Sequence, residues 1–374
     1  MIFKKNSKEK EILKMCRYCF MCRHACPVFL ETKMDSNTPR GHALLISRID
    51  ENISEWTEDT VDKIYQCSQC SLCKELCEFS WEEDTLIQST REMIVKLKIV
   101  PDEIKKLKSF LINYNINQNK SPNVFDINND RFDRKHIDVL YLAGYSTLFE
   151  QPEIIKKTAD VLNSIGIKWT MFKEEGIAGI ELFELGYTKE AKIAAKKLIN
   201  KILEIKPKII ITGNPHVYKT LKSLTPQWDI DYLSDIKIYH IVEYLYLKIK
   251  DRTLKLKKNP NFSKIIYHDP CQLGRNMGVY DEPRELIKLI TGNPPLEFLH
   301  SRNEAECCGA GSVMYLTHPD ITRKMAQIII YNALEMNAKT IVTACPNCKK
   351  VFEDASIKTN SNLKVIDIIE LISL

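Results

Sequence analysis

Cys16-Arg-Tyr-Cys19-Phe-Met-Cys22-Arg-His-Ala-Cys26-Pro27 and Cys67-Ser-Gln-Cys70-Ser-Leu-Cys73-Lys-Glu-Leu-Cys77 repeat one spacing, C-x2-C-x2-C-x3-C. Three thiolates spaced three residues apart line one side of a tight turn and hold three irons of a cubane. In two-cluster ferredoxins the fourth cysteine, displaced beyond the first three, reaches the other cluster. By that rule Cys16, Cys19, Cys22 and Cys77 hold one [4Fe–4S] cluster, and Cys67, Cys70, Cys73 and Cys26 hold a second. Structural zinc sites use paired-cysteine knuckles, which a repeated four-cysteine run matches poorly. One departure is Glu78, where a proline would follow the fourth cysteine. It loosens the turn without removing a ligand.

The forty residues between Cys26 and Cys67 decide what kind of domain carries these runs. Small βαββαβ ferredoxins separate their runs by less. Here Gly41-His-Ala-Leu-Leu-Ile-Ser-Arg-Ile has apolar residues at helical spacing. The expectation is an α-helical two-cluster ferredoxin domain over residues 1–110. His24, inside a run already complete with four thiolates, reads as a surface residue. Arg40 reads as a cation near a cluster, an anchor for a partner, or an ordinary turn residue.

Thirteen cysteines in 374 residues are the informative excess. Eight lie in the two runs and five after residue 270. In a reducing compartment such clustering points to metal or redox chemistry rather than disulfides. The remaining composition is that of an ordinary soluble protein, with 44% hydrophobic and 28% charged residues. Its length indicates two or three domains. Met1-Ile-Phe-Lys-Lys-Asn opens without an apolar leader, and no apolar run is long enough to span a bilayer. A cytoplasmic location is therefore expected, with membrane contact only through a partner or quinone. The net charge of +5 is a small difference between 54 basic and 49 acidic residues. No basic block interleaves with aromatics, which argues against nucleic-acid binding.

After an Asn- and Lys-rich stretch at 111–134, read as a linker, the pattern turns α/β. Strands are expected at Ile137–Leu142, Ile209–Thr212, Ile265–His268 and Thr340–Thr343. Two segments are self-similar. Tyr141-Leu-Ala-Gly-Tyr145 matches Tyr267-His-Asp-Pro-Cys271, and Thr212-Gly-Asn-Pro-His-Val-Tyr-Lys219 matches Thr343-Ala-Cys-Pro-Asn-Cys-Lys-Lys350. Gly179 falls opposite Gly309. The second copy, 256–374, carries Cys271, Cys307, Cys308, Cys345 and Cys348. The first, 135–255, has Tyr145, Ile177, Ala178, Asn214 and Val217 in their places, so it is a degenerate repeat without metal ligands. Ligands of open α/β sheets gather beyond the carboxyl ends of strands, where these cysteines begin. A collapsed, dry pocket is expected in the first copy.

Together these motifs resemble the CCG-domain (cysteine-rich domain) iron–sulfur oxidoreductase family. That family includes heterodisulfide reductase catalytic subunits and the iron–sulfur subunits of glycolate oxidase and anaerobic glycerol-3-phosphate dehydrogenase. The resemblance spans Pro39-Arg-Gly41, His268-Asp-Pro-Cys271-Gln-Leu-Gly-Arg275, Cys307-Cys-Gly-Ala-Gly311 and Cys345-Pro-Asn-Cys348 as well as both runs. It implies an α/β pseudo-duplicated CCG domain after the helical domain. It also implies a further iron–sulfur centre, in noncubane [4Fe–4S] form, on Cys271, Cys307, Cys308, Cys345 and Cys348. An ordinary cubane on four of the five, or a zinc ion, stays open at this point.

The functional expectation is an iron–sulfur electron-transfer subunit of a multi-subunit oxidoreductase. Electrons would come from a flavoprotein dehydrogenase of a small 2-hydroxy-acid-type metabolite and leave to a quinone or other acceptor. No G-x-G-x-x-G loop is present to hold flavin or nicotinamide in this chain, and no catalytic residue is assigned. The alternative is a disulfide or heterodisulfide reductase acting at the C-terminal centre. His268 and Asp269 then stand as candidates to tune that centre or protonate a substrate, or simply as strand-end hydrogen-bonding groups.

Overall fold

The computed structural model describes residues 2–117, 137–230, 233–259, 262 and 264–372. Residues 2–117 hold no strand. Eight helices fill them: α1 (Lys8–Met15), α2 (Met21–Ala25), α3 (Pro27–Thr32), α4 (Pro39–Asp50), α5 (Glu58–Tyr65), α6 (Leu72–Glu75), α7 (Glu83–Leu97) and α8 (Asp102–Asn117). The starts follow from the sequence. Thr38 accepts from the Gly41 amide ahead of Pro39 at the head of α4, and Thr57 accepts from the Thr60 amide ahead of α5. The apolar side of α4, Ala43, Ile46 and Ile49, is buried as the spacing of the inter-run segment requires.

Both cysteine runs are short turns leading into short helices. Tyr18 and Gln69, each just before the second cysteine of its run, have φ of 53° and 48°. These matching left-handed residues show that the two runs fold the same local way.

The expected linker at 111–134 needs correcting at its start. Residues 111–117 continue α8, because Leu111 is fully buried and Tyr114 packs edge-on against Tyr145 and Phe149. The rest of that stretch lies outside the described residues.

Two four-stranded parallel sheets follow. β1 (Val139–Leu142), β2 (Trp169–Met171), β3 (Ile209–Thr212) and β4 (Lys237–His240) form one in the order β2-β1-β3-β4. β5 (Ile265–His268), β6 (Leu296–Glu297), β7 (Thr340–Thr343) and β8 (Lys364–Asp367) form the other in the order β6-β5-β7-β8. The central strands β1, β5 and β7 are buried along their whole length, which is why they read as unbroken apolar runs. The likeness of the two copies extends to detail. Gly179 and Gly309 have φ of 97° and 91°. The last strand of each sheet ends in a capping box, His240 with Glu243 and Asp367 with Glu370.

The parts share their cores. Trp81 and Ile87 of the helical domain lie in one apolar cluster with Leu185 and Ile199, while Tyr141 and Tyr267 of the two sheets share another. No helix among the described residues is long and apolar enough to cross a membrane.

Candidate iron–sulfur centres

Cys16, Cys19, Cys22 and Cys77 surround one cavity, with Cys73 on its wall. Cys26, Cys67, Cys70 and Cys73 surround a second. The fourth cysteine of each run thus stands with the first three of the other. Backbone amides reach the sulfurs in matching fashion: Tyr18 N–H donates to Cys16, Gln69 N–H to Cys67 at 3.4 Å, and Gly309 N–H to Cys307 at 3.3 Å. Such N–H···S bonds are one of the means by which a protein sets cluster potentials.

The five C-terminal cysteines also converge, and all are buried. Cys271 follows β5 and Cys345 follows β7, so both leave strand ends. Cys308 and Cys348 sulfurs are 3.1 Å apart. Cys307 is in hydrogen-bonding contact with Cys271, Cys308 and Cys70. Through Cys70, the wall of the second cavity touches the C-terminal cysteine set.

All thirteen cysteines are free thiols. Burial pushes the Cys22 thiol up to about 12 and lifts Cys67 and Cys73 as well. Cys345 differs: burial pushes it up, but hydrogen bonds from Cys348 and His216 outweigh that and hold it at about 6. His216 comes from the first repeat, and the two repeats meet there. Its Nδ1 lies 3.4 Å from Nδ2 of Asn347, its own counterpart in the second repeat. Sequence alone does not reveal His216, because nothing in the chain marks a residue 129 positions before its partner.

The donor sets fit iron–sulfur clusters. Four sulfurs around each N-terminal cavity match cubanes, and five buried sulfurs exceed what zinc takes. Beside them, His42 Nε2, His268 Nδ1 and Arg275 Nη2 are buried with no partner among the described residues. Buried donors normally find acceptors. Here each stands next to a cysteine set whose loaded form would be anionic: His42 lines the second cavity, His268 lies beside Cys308, and Arg275 lies beside Cys70, Cys271 and Cys307.

Other residues missed in the sequence complete the site. His42 Nδ1 and Glu83 Oε1 are 2.7 Å apart, both buried, and the Cys73 thiol donates to Glu83 Oε2 at 2.8 Å. Arg91 is fully buried and bonds the carbonyls of Ile64, Cys67 and Glu184, together with Gln69 Oε1 and Ser312 Oγ. One guanidinium therefore ties the second cysteine run to both repeats. His24 is exposed, as expected. Asp269 is held by Arg284 through two bonds of 2.7 and 2.8 Å, and it caps the Arg302 amide. These bonds hold the Asp269 side chain in place.

In the first repeat, Tyr145, Ile177, Ala178, Asn214 and Val217 are all buried. Asn214 Nδ2 donates to Ser146 Oγ, and the Glu175 carboxylate accepts from the Ala143 and Gly144 amides. Side chains fill the place where the second repeat gathers thiols.

Comparison with known families agrees with this construction. Residues 12–80 match the 4Fe-4S dicluster domain family, and residues 265–353 match the cysteine-rich domain family, CCG. The chain is therefore an iron–sulfur protein in which a two-cluster ferredoxin-type domain precedes a CCG domain. In both domains it resembles the CCG-domain iron–sulfur oxidoreductases. It is 28% identical to a subunit of the dihydromethanophenazine:CoB–CoM heterodisulfide reductase of Methanosarcina barkeri, over 84% of this chain and 78% of that one. It is 25% identical to the probable iron-sulfur-binding oxidoreductase FadF of Bacillus subtilis, over 84% of this chain and 46% of FadF. It is 29% identical to the EtfAB:quinone oxidoreductase of Syntrophomonas wolfei, over 64% of this chain and 34% of that protein.

Proposed function

We propose that this chain is the electron-relay subunit of a multi-subunit oxidoreductase. Cys16, Cys19, Cys22 and Cys77 hold the first cubane, and Cys26, Cys67, Cys70 and Cys73 the second. Cys271, Cys307, Cys308, Cys345 and Cys348 hold the third centre as a noncubane [4Fe–4S] group. The observation that carries the reading is continuity of the cysteine sets: Cys73 lines both N-terminal cavities, and Cys70 touches Cys307. Bound clusters supply one-electron redox chemistry, with potentials between roughly −700 and +450 mV. The chain's own residues fix the spacing and supply the N–H···S bonds and buried cations that bias those potentials.

In this reading the electrons come from a flavoprotein that oxidises a small 2-hydroxy-acid-type metabolite, and they leave to a quinone or other acceptor. The likeness to an EtfAB:quinone oxidoreductase supports the acceptor side. The test is anaerobic purification of the tagged chain from its source. A co-purifying flavoprotein that reduces the clusters when a 2-hydroxy acid is added is expected. A complex without flavin contradicts the dehydrogenase half.

A second reading, reduction of a disulfide at the third centre, is favoured by a cavity of about 260 Å³ lined by His268, Phe298, Glu306, Asn332 and Met336. His268 also lies beside Cys308. The reaction would take two electrons and two protons per disulfide cleaved to two thiols. Against it, the fold contains two repeats but only one carries thiols. Turnover of a disulfide by the isolated, reduced chain would decide for this reading.

A further inference from the structure

Of the thirteen cysteines, Cys19 of the first set is the exposed one; Cys26 and Cys67 of the second set are half-buried, and Cys70, Cys73 and all five C-terminal cysteines are buried. The surface around Cys19 is unlike ordinary protein surface. Met15, Tyr18, Phe20, Met21 and Phe79 are 43%, 37%, 55%, 60% and 52% exposed. Met15, Met21 and Phe79 line the first cavity itself. Scattered apolar residues are normal on a protein surface, but a contiguous group marks an interaction site.

Two cations stand in this patch. Arg17 lies over the Phe79 ring at 5.8 Å, and Arg40 over the Phe20 ring at 4.6 Å. Backbone carbonyls steady them: Arg17 donates to Lys14 O and Arg40 to Tyr18 O. Neither pairs with a carboxylate among the described residues. Arg23 nearby does, with Asp35 at 3.2 Å. The cations are thus fixed on aromatic rings with their charge left for a partner. Aromatic residues, methionine and arginine are also the residues that protein interfaces favour.

We infer that this patch is the electron-entry port, and that it docks an acidic one-electron carrier protein whose own redox centre lies under an apolar surface. The inference rests on the relay reading and names the partner's chemistry. On docking, Phe20, Met21 and Phe79 are covered, and Arg17 and Arg40 meet carboxylates of the carrier. One electron passes to the chain, so the carrier is oxidised by one electron and the first cluster site is reduced by one. Lys14, whose carbonyl holds Arg17, adds a further positive charge beside it.

The test uses the intact cluster-loaded chain under anaerobic conditions, with a reduced acidic two-cluster bacterial ferredoxin as donor. Reduction is followed by stopped flow at low salt and at about 0.3 M salt, where charges separated by more than a Debye length are screened. The expected result is a rate that falls at least tenfold with salt. A similar loss is expected in the Arg17→Glu/Arg40→Glu variant at low salt. Reduction by the small methyl viologen radical, which needs no protein docking, stays within about twofold in wild type and variant. Equal ferredoxin rates in the two proteins, independent of salt, would overturn the port. So would self-association of the chain through this patch with no ferredoxin binding. Failure of the viologen radical to reduce the C-terminal centre would instead count against the relay.

Discussion

Gly311 packs its backbone so tightly against Ser68 that a Cβ on Gly311 would overlap the Ser68 carbonyl oxygen. Ser68 belongs to the second cysteine run and Gly311 to the CCGAG segment, 243 positions away. The second glycine of that segment is therefore an interface glycine. It lets the second cavity and the C-terminal cysteines share a wall, with Cys70 touching Cys307 and Arg275 bonded to Cys70 O at 2.7 Å.

Gly311→Ala forces these two elements apart. Overpacking of this kind costs about 1–3 kcal/mol. A lower melting temperature is expected, with normal loading of the N-terminal clusters and slower reduction of the third centre after they are reduced. Rapid-freeze spectroscopy checks this, and an unchanged transfer rate would contradict it.

His216 gives the first repeat a direct part in the third centre. Its hydrogen bond to Cys345 stabilises negative charge on that sulfur, and a hydrogen bond to a cluster sulfur favours the reduced state. His216→Ala should lower the potential of the third centre while leaving iron content and the N-terminal signals unchanged. His216→Asn, which keeps a donor, should recover part of the shift. Redox titration followed by spectroscopy distinguishes these outcomes from general loss of structure.

The thiol-free repeat is proposed as a scaffold. Ala178→Cys should change neither iron content nor the spectrum, since Ala178 is packed in one apolar cluster with Ile177 and Val217. Cys308→Ala should remove the third centre and stop transfer to the final acceptor, while the N-terminal clusters still accept electrons. Full acceptor activity in Cys308→Ala would overturn the assignment.

Glu181 sets a pH dependence. Burial raises its carboxyl from 4.5 to about 7, and one of its oxygens has no partner among the described residues. Unfolding restores an ordinary carboxyl, so the folded state binds more protons between these two values. Stability from this group is then fully present below about pH 4.5, and it is lost as pH rises through about 7. The difference amounts to at most ~3 kcal/mol. Glu181→Gln should flatten the fall in melting temperature between about pH 4.5 and 7. An unaltered profile would show that the group titrates normally.

The cysteine spacing carried the helical domain, and the aligned Tyr141 and Tyr267 segments carried the repeat, because both signals are local in the chain. The central strands were legible as continuous apolar runs. The four edge strands were not: β2 and β6 span only three and two residues, and β4 and β8 open on the exposed lysines Lys237 and Lys364. The linker was placed too early because the polar residues of α8 hid the buried Leu111 and the half-buried Tyr114. What the sequence could not yield are the pairings across distance: His42 with Glu83, His216 with Cys345, and Arg91 with Ser312. Tertiary packing makes these, and one chain read alone carries no record of it.

That three cysteine sets hold three iron–sulfur centres in one chain is decided by iron, sulfide and zinc analysis of the full-length protein purified without oxygen. Three four-iron centres require about twelve irons and no zinc. About eight irons with one zinc would leave the N-terminal pair intact and contradict the third centre.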